Sequence, residues 1–366
     1  MIPKEVFEQS LLGLFEPIRP YLEDASVSEV MINGPSLIYV ERAGKIERVP
    51  AAFAGEYELM SAIRNLAQFV GRQVDAEQPI LEARLPDGSR VEAVLPPAAP
   101  GGPFVAIRRF FKERLTVARL LEFGSFPSNV AQVLEATVAA KRNVVVAGGT
   151  GSGKTSLLNV LSSFIRDGER IVVIEDTREL QLQKEHVLQM EVRHPDAKGR
   201  GGVSVRDLFR ATLRMRPDRI VVGEIRGGEA LDLIQAMTSG HGGCLTTVHA
   251  TYPKDTLTRL ETMAMMSDLD MPLQAMRAQI GSAVDLIVQT SRVRDGSRCV
   301  THLSEVTGYS EQGGYDLRDI YCRKPDTSGQ SPSGLTELSP TGTLPSFIDD
   351  LCATALPLPP EMRAQR

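Results

Sequence analysis

Residues 144–155 read VVVAGGTGSGKT, and this stretch decides the fold. Four apolar residues run into a glycine-rich turn, and SLLNVLSSFIRDG follows with helical spacing. The turn satisfies G-x-x-x-x-G-K-[ST] at Gly148, Gly153, Lys154 and Thr155. Glycine lets the backbone close around a phosphate where a side chain would collide. The loop amides and the positive end of the following helix then face the anion. Gly148, Gly149, Thr150, Gly151, Ser152, Gly153, Lys154, Thr155 and Ser156 are the candidate nucleotide-binding residues. In this pattern the lysine reaches the outer phosphates as a point charge, and the Thr155 hydroxyl ligates Mg2+.

Downstream, IVVI (Ile171–Ile174) reads as a buried parallel strand ending in Glu175 and Asp176. Open α/β sheets place their chemistry at such strand ends, and this strand is expected beside the nucleotide strand. A second apolar strand, Ile220–Val222, runs into Gly223, Glu224 and Arg226. An acid after a hydrophobic strand is the usual magnesium-side partner of a phosphate loop. Here it is Glu in place of the common Asp, and its longer arm suits action through a metal-bound water. Asp218 lies before that strand and is expected to be a structural cap. SGHGGCLTTVHA (239–250) reads as helix end, turn and strand, with His241 and His249 bracketing two threonines. The spacing is long for paired zinc ligands and no cysteine pair joins it. Two readings stay open, buried structural imidazoles or sensors of a terminal phosphate. A methionine-rich helix is expected over Asp255–Met271, its methionines in the core or between helices. A hairpin should then turn at Asp295-Gly296. Residues 324–343 are rich in Pro, Ser and Gly and expected to be mobile, with a short closing helix in FIDDLCATAL.

Upstream, residues 1–24 have helical spacing with a break around Pro17 and Pro20. Short antiparallel strands follow, turning at Asn33-Gly34 and Ala43-Gly44. Glu56–Val74 is helical in period, Pro79–Pro97 returns to strands turning at Asp87-Gly88, and Phe104–Phe111 is one more strand. This is an α+β domain, expected over 1–111. Its Arg90, Arg108 and Arg109 are either solvated strand positions or groups that face the nucleotide. A linker is expected over 112–125, the nucleotide domain over 126–323 and a C-terminal tail over 324–366.

A chain of 366 residues is long enough for two domains with separate cores. Its net charge of −5 weighs against a dedicated nucleic-acid binder. Cys244, Cys299, Cys322 and Cys352 form no C-x-x-C pair and read as reduced thiols. No apolar run has the length of a membrane span, and Glu5 and Glu8 stand where a signal peptide would be basic. A cytoplasmic protein that meets membranes through partners is expected.

With these motifs in place, the chain resembles the secretion and pilus traffic ATPases, the VirB-type and PilT-type superfamily, with CpaF-like ATPases of tight-adherence (Tad) pili nearest. The features are LPDGSRVEAVLPP, AIRRF, GGTGSGKT, IEDTREL, RMRPDRIVVGEIRGGEA and TSGHGGCLTTVHA, in that order. The resemblance implies an α/β protein, with a RecA-like P-loop NTPase C-terminal domain after a smaller α+β N-terminal domain. It implies ATP and Mg2+ as cofactors, Glu175 as general base for the attacking water, and Glu224 as an atypical Walker B acid. It makes His241 and His249 the histidine box and moves them towards phosphate sensing. Arg90 and Arg108 match arginines brought to the γ-phosphate. A hexameric ring is implied, working with inner-membrane pilus or secretion platform proteins, with no direct nucleic acid. A conjugative-transfer ATPase or DNA translocase is the main alternative. A small-molecule kinase fits the preceding domain poorly, and a nucleotide-gated scaffold would require that hydrolysis be undetectable. The four-cysteine zinc module of some type II secretion ATPases and the long N-terminal extension of many pilus-extension ATPases are missing from this sequence.

Overall fold

The computed structural model describes residues 13–42, 44–110, 115–195, 199–269, 271–329 and 331–363. They divide into two compact units, Met1–Arg114 with Pro195–Arg200 and Leu115–His194 with Gly201–Arg366.

The first unit opens with a 3-10 turn, Glu16–Ile18, and α1, Arg19–Glu23. Pro17 and Pro20, expected as breaks, sit in the first turns of these two elements, where a missing N–H costs no bond. The part of the N-terminal helix expected over 1–12 lies outside the described residues. Six antiparallel strands follow: β1 (Val27–Asn33), β2 (Ile38–Arg42), β3 (Lys45–Val49), β4 (Ile80–Arg84), β5 (Arg90–Val94) and β6 (Phe104–Arg108). Their order in the sheet is β3-β2-β1-β6-β5-β4. Helix α2 (Glu56–Phe69) buries Leu59, Ala62, Ile63, Leu66 and Ala67, one stripe at helical spacing, in a core with Val30, Ile32, Val91 and Ile107. Each fully buried Leu or Ile in such a stripe contributes about 1.5–3 kcal/mol. The helix is shorter than the period suggested. Gly71 takes a left-handed φ of 69°, and the amides of Gly71 and Arg72 turn back to the Gln68 and Ala67 carbonyls.

The second unit begins earlier than the sequence suggested. Residues 115–125, expected as linker, belong to it and carry α3 (Val117–Glu122), whose N-cap Thr116 accepts from the Arg119 amide. Positions 112–114 of that linker are outside the described residues. Then come α4 (Ser128–Ala139), β7 (Val144–Gly148), α5 (Lys154–Ser163), β8 (Ile171–Glu175), β9 (Val187–Glu191), α6 (Val205–Thr212), β10 (Arg219–Val222) and α7 (Glu229–Thr238). After these stand β11 (Leu245–His249), α8 (Pro253–Ala264), α9 (Leu273–Ala283), β12 (Leu286–Arg292), β13 (Arg298–Ser310), β14 (Gly314–Cys322), β15 (Ser339–Pro340) and α10 (Ile348–Ala353). The sheet order is β15-β14-β13-β12-β7-β11-β10-β8-β9. The six strands from β12 to β9 run parallel, and β13, β14 and β15 close one side antiparallel.

Both faces of the parallel sheet are covered, which is why its strands read as unbroken apolar runs. Val144 and Val146 pack with α4 and α5 on one face, and Val145 and Ala147 with α7, α8 and α9 on the other. The methionine-rich helix is split: Met263 is buried, but Met265 and Met266, beyond the end of α8, are exposed. The C-terminal segment expected as mobile is tied to the sheet by β15, paired with Tyr321 and Cys322. Beyond it, Phe347, Leu351, Leu358 and Met362 are buried in the α4 core. Glu361 fastens this end, accepting from Asn129 Nδ2 at 2.6 Å and Tyr321 Oη at 2.8 Å. All four cysteines are free thiols, with Cys244 and Cys299 buried.

Candidate active site

The phosphate loop joins β7 to α5 at the C-terminal edge of the parallel strands. Gly148 has no room for a Cβ, which would strike the Thr290 hydroxyl and the Ser152 hydroxyl. Gly151 and Gly153 take left-handed φ values of 69° and 94°. A residue with a Cβ would be strained at both, so the glycines of the motif are a geometric requirement. Lys154 is the first residue of α5, with only 7% of its surface exposed. Its Nζ donates to the Gly149 carbonyl at 2.9 Å. Thr155 follows on the first turn, half-buried. Lys154 and Thr155 thus stand at the positive end of a ten-residue helix.

The acidic residues converge on the same edge from two other strands. Glu175 ends β8 and is 4% exposed. Its Oε1 accepts from the Glu179 and Leu180 amides at 2.9 and 2.8 Å. Burial pushes its pKa up to about 7; the two amides oppose that, and the charges of Glu179 and Glu191 add to it. Gly223 makes space for it, since a Cβ there would stand 3.0 Å from the Glu175 Cγ. Glu224, just beyond β10, is held by Arg226, which donates from Nε at 2.8 Å and from Nη2 at 2.5 Å. Arg226 Nη1 lies 3.6 Å from Asp176. The strand that carries Glu175 is not beside β7, as expected, because β11 and β10 lie between them. Three strand spacings of about 4.8 Å put the two backbones roughly 14 Å apart. Asp218 does act as a structural group, accepting from the Arg170 amide at 2.9 Å.

His249 joins the lysine to the carboxylate. Its Nε2 lies 2.7 Å from Glu224 Oε1 and 3.3 Å from Lys154 Nζ. Burial, and then the Lys154 charge, hold the imidazole below its ordinary pKa, while Glu224 pulls the other way. Lys154 Nζ lies almost equally far from both ring nitrogens, 3.4 Å from Nδ1 and 3.3 Å from Nε2, while Glu224 Oε1 is buried beside the ring with no hydrogen-bond partner. Lys154, His249, Glu224, Arg226 and Asp176 therefore form one continuous polar chain across the edge.

His241 is not brought to this chain. In the parallel ladder His249 stands opposite Gly148 and Leu245 opposite Val144. His241 precedes Leu245, so it sits at the other edge of the sheet, where β7 starts. Its turn is tied there by the Gly243 and Cys244 amides, which donate to Asn143 Oδ1 at 2.9 and 3.0 Å. Four steps of about 3.3 Å along β11 already separate the two edges by roughly 13 Å. The expectation that both histidines sense one phosphate is corrected for His241 within its own chain, because an extended strand runs between them.

In the first unit, Arg90 stands opposite Arg108 on β6 and opposite Arg84 on β4. Glu29 on β1 continues the row beyond Arg108. Residues directly opposite share a face, so three guanidinium groups line one row. Like charges so aligned are unfavourable alone and suit an anion such as phosphate. Arg84 had no signal in the linear sequence, since only register reveals it. Arg109 is different: its guanidinium donates to the Asp24 and Val27 carbonyls, which favours a structural role.

Two more residues touch the phosphate loop with no sequence signal to mark them. The Thr290 hydroxyl lies 2.9 Å from the Ser152 hydroxyl, and Arg298 Nε donates to the Gly151 carbonyl at 2.7 Å. Both come from the β12–β13 hairpin, far along the chain. As for ligands, the loop, Lys154 and the helix end fit a nucleotide triphosphate. One hydroxyl, Thr155, and one nearby carboxylate, Glu224, fit a magnesium ion carried largely by phosphate oxygens. Among the described residues no group of three or more His, Cys, Asp or Glu is placed to hold a metal by itself.

Fold and site together define a P-loop nucleotide hydrolase. The chain matches the family described as "Type II/IV secretion system protein" over residues 14–330, and it belongs to that family. Conjugal transfer protein TrbB of Rhizobium radiobacter is 33% identical over 293 residues, covering 79% of this chain and 86% of TrbB. Type IV secretion system protein VirB11 of Brucella suis is 34% identical over 324 residues, covering 80% and 88%. Among solved structures, the ATPase DotB of Legionella pneumophila has a TM-score of 0.54 at 21% identity, covering 81% of this chain and 79% of its own. The pilus retraction motor PilT with bound ADP has a TM-score of 0.55 at 20% identity, covering 84% and 82%. The fold is thus the RecA-like α/β fold with a β-rich unit before it, and the protein is an ATP-hydrolysing enzyme of this family. Among the described residues no helix is long and apolar enough to cross a membrane.

Proposed function

We propose that this ATPase is a ring-forming motor, a hexamer, that powers a pilus-assembly or secretion machine at the inner membrane. One observation carries the reading: Lys154, His249, Glu224 and Glu175 meet at one edge of four consecutive parallel strands. In this reading ATP lies on the loop amides, with Lys154 offsetting charge on its outer phosphates. Thr155 and, through water, Glu224 would hold a magnesium ion, which would supply further positive charge there. Glu175 accepts the proton of the attacking water, as a buried carboxylate with a raised pKa is suited to do. His249 senses the terminal phosphate through its contacts with Lys154 and Glu224. The first unit contributes Arg90 and Arg108.

Tad-type pilus assembly or retraction is the first assignment, on the sequence resemblance. Conjugative transfer is the second, and the names of TrbB and VirB11 favour it at least as much. The test is phosphate release by the purified full-length protein. The wild type is expected to release phosphate, Lys154→Ala to lose it, and Arg108→Ala to fall on the order of 10³. Unchanged turnover in Arg108→Ala would return that residue to plain surface charge. Stimulation by single-stranded DNA with strand displacement would move the assignment to a DNA translocase.

A further inference from the structure

The phosphate loop is gripped by a hairpin that follows it in the chain by 138 residues, counted from Ser152 to Thr290. Strand β12 pairs with β7 in parallel, and Thr290 stands opposite Gly148, where the loop begins. A bulge in the β12–β13 pairing falls between Gln289 and Thr290. Thr290 is 4% exposed and Ser152 is 3% exposed, so both hydroxyls are cut off from solvent. Besides their 2.9 Å contact, Thr290 Oγ1 lies 3.1 Å from the Ala147 carbonyl and Ser152 Oγ 2.9 Å from the Gly149 carbonyl. Two hydroxyl protons serve these three contacts. Ser152 can donate to Thr290, which donates to Ala147; Thr290 can donate to Ser152, which donates to Gly149; or each hydroxyl can donate to its own carbonyl. In every arrangement the Thr290 hydroxyl donates to Ala147 at the start of the loop or to Ser152 near its end, and so ties β12 to the loop.

The other end of the hairpin holds the middle of the loop. Arg298, the first residue of β13, donates from Nε to the Gly151 carbonyl, and its own carbonyl accepts from Ser125 Oγ at 3.0 Å. Its side-chain carbon Cδ would be 3.4 Å from a Cβ at Gly153. In a trans peptide unit the N–H points opposite to the C=O, so fixing the loop carbonyls fixes where its amides point.

We propose that Thr290 and Arg298 are positioning residues of the ATPase, and that the β12–β13 hairpin preforms the phosphate loop. The phosphates then meet amides already aimed at them, and affinity is not lost to ordering a floppy turn. This rests on the ATPase reading above, but nucleotide affinity tests it separately from turnover.

The experiment measures MgADP affinity, ATP KM and kcat, and melting temperature in the full chain. Thr290→Val keeps the shape and removes both hydroxyl contacts; Thr290→Ser restores the hydroxyl. Thr290→Val is expected to weaken MgADP and raise KM by about tenfold, the scale of one buried hydrogen bond, with kcat within about threefold. Thr290→Ser should stay within about twofold of wild type if the hydroxyl alone matters. Arg298→Ala, at an exposed residue, should weaken MgADP by about threefold to tenfold at an unchanged melting temperature. Wild-type affinity in Thr290→Val and Arg298→Ala overturns the brace. So does an equal loss in Thr290→Ser and Thr290→Val, or a fall in kcat and affinity that merely tracks the melting temperature. Should Thr290→Val not fold, Arg298→Ala decides by the same readouts. A wild type that binds MgADP but releases no phosphate would sink the ATPase reading and leave the brace to the affinity data.

Discussion

The two edges of the large sheet both carry buried charge, but they use it differently. At the edge where the parallel strands begin, Arg219 is 1% exposed and satisfied by protein alone. It donates to Glu169 at 2.8 Å and to the Gly243 and Val138 carbonyls at 3.2 and 2.5 Å. Asp285 accepts there from the Asn143 amide at 2.7 Å and from Arg142 at 3.1 Å. At the edge where the strands end, Lys154, His249 and Glu224 lean on one another, and Glu175 is held protonated up to about neutral pH. A closed network fixes structure, whereas charges that only approximately satisfy one another are poised to exchange partners for a ligand. The helix-end amides and Lys154 make the second edge suited to an anion.

That contrast can be broken most sharply at Glu175. Glu175→Gln should keep nucleotide binding and cut turnover on the order of 10³, the range of general-base loss. Turnover at the wild-type rate would remove Glu175 from the base role. The same residue sets a pH dependence. Its carboxyl must be ionised to accept a proton, so kcat should rise with pH and reach half its plateau near pH 7. Glu175→Gln should lose that limb. Stability should move the opposite way. With the folded pKa raised above the ordinary 4.5, the folded state binds more protons than the unfolded one between about pH 4.5 and 7. Glu175's contribution therefore weakens as pH rises through that window, readable as a falling melting temperature that Glu175→Gln does not share.

The histidines give the next largest effect and the most direct comparison, since they bracket one strand. His249→Ala should cost turnover on the order of tenfold to a hundredfold, as loss of one charge-assisted contact in the site. His241→Ala should stay within about twofold if its edge is structural. An equal loss in both would mean that His241 reaches a phosphate in some other way, such as from a neighbouring copy. The smallest effect on chemistry belongs to Arg219→Met. It should leave kcat of the folded fraction unchanged while costing about 3 kcal/mol of stability, because Glu169 keeps its charge and loses its nearest partner. Urea unfolding and turnover on one preparation would separate the two, and a selective fall in kcat would mean that the edges are coupled.

Much of the site could be read locally. The phosphate loop follows from the spacing of Gly, Lys and Thr, because each conformation it demands is a property of a single residue. Strands β7, β8, β10 and β11 follow from their unbroken apolar runs, which only a sheet covered on both faces buries. Other features had no such local cause. The separation of Glu175 from the loop by two strands came from strand order, and the row of Arg84, Arg90 and Arg108 came from antiparallel register. The segment after residue 324 has a composition suited to mobility. Phe347, Leu351, Leu358 and Met362, which Pro357, Pro359 and Pro360 keep from forming one continuous helix, nevertheless anchor the end of the chain in the α4 core.

The sequence by itself determined where a phosphate loop lies, since backbone freedom at glycine and one lysine's charge act over a few residues. It also marked Glu175, Glu224, His241 and His249 as candidates by residue type. Only the tertiary structure decided which histidine stands with the lysine, how far Glu175 lies from it, and that Thr290 and Arg298 contact the loop. Those are matters of strand order, direction and register. They arise from burying both faces of one sheet, and they bring together side chains that the linear chain keeps more than a hundred residues apart.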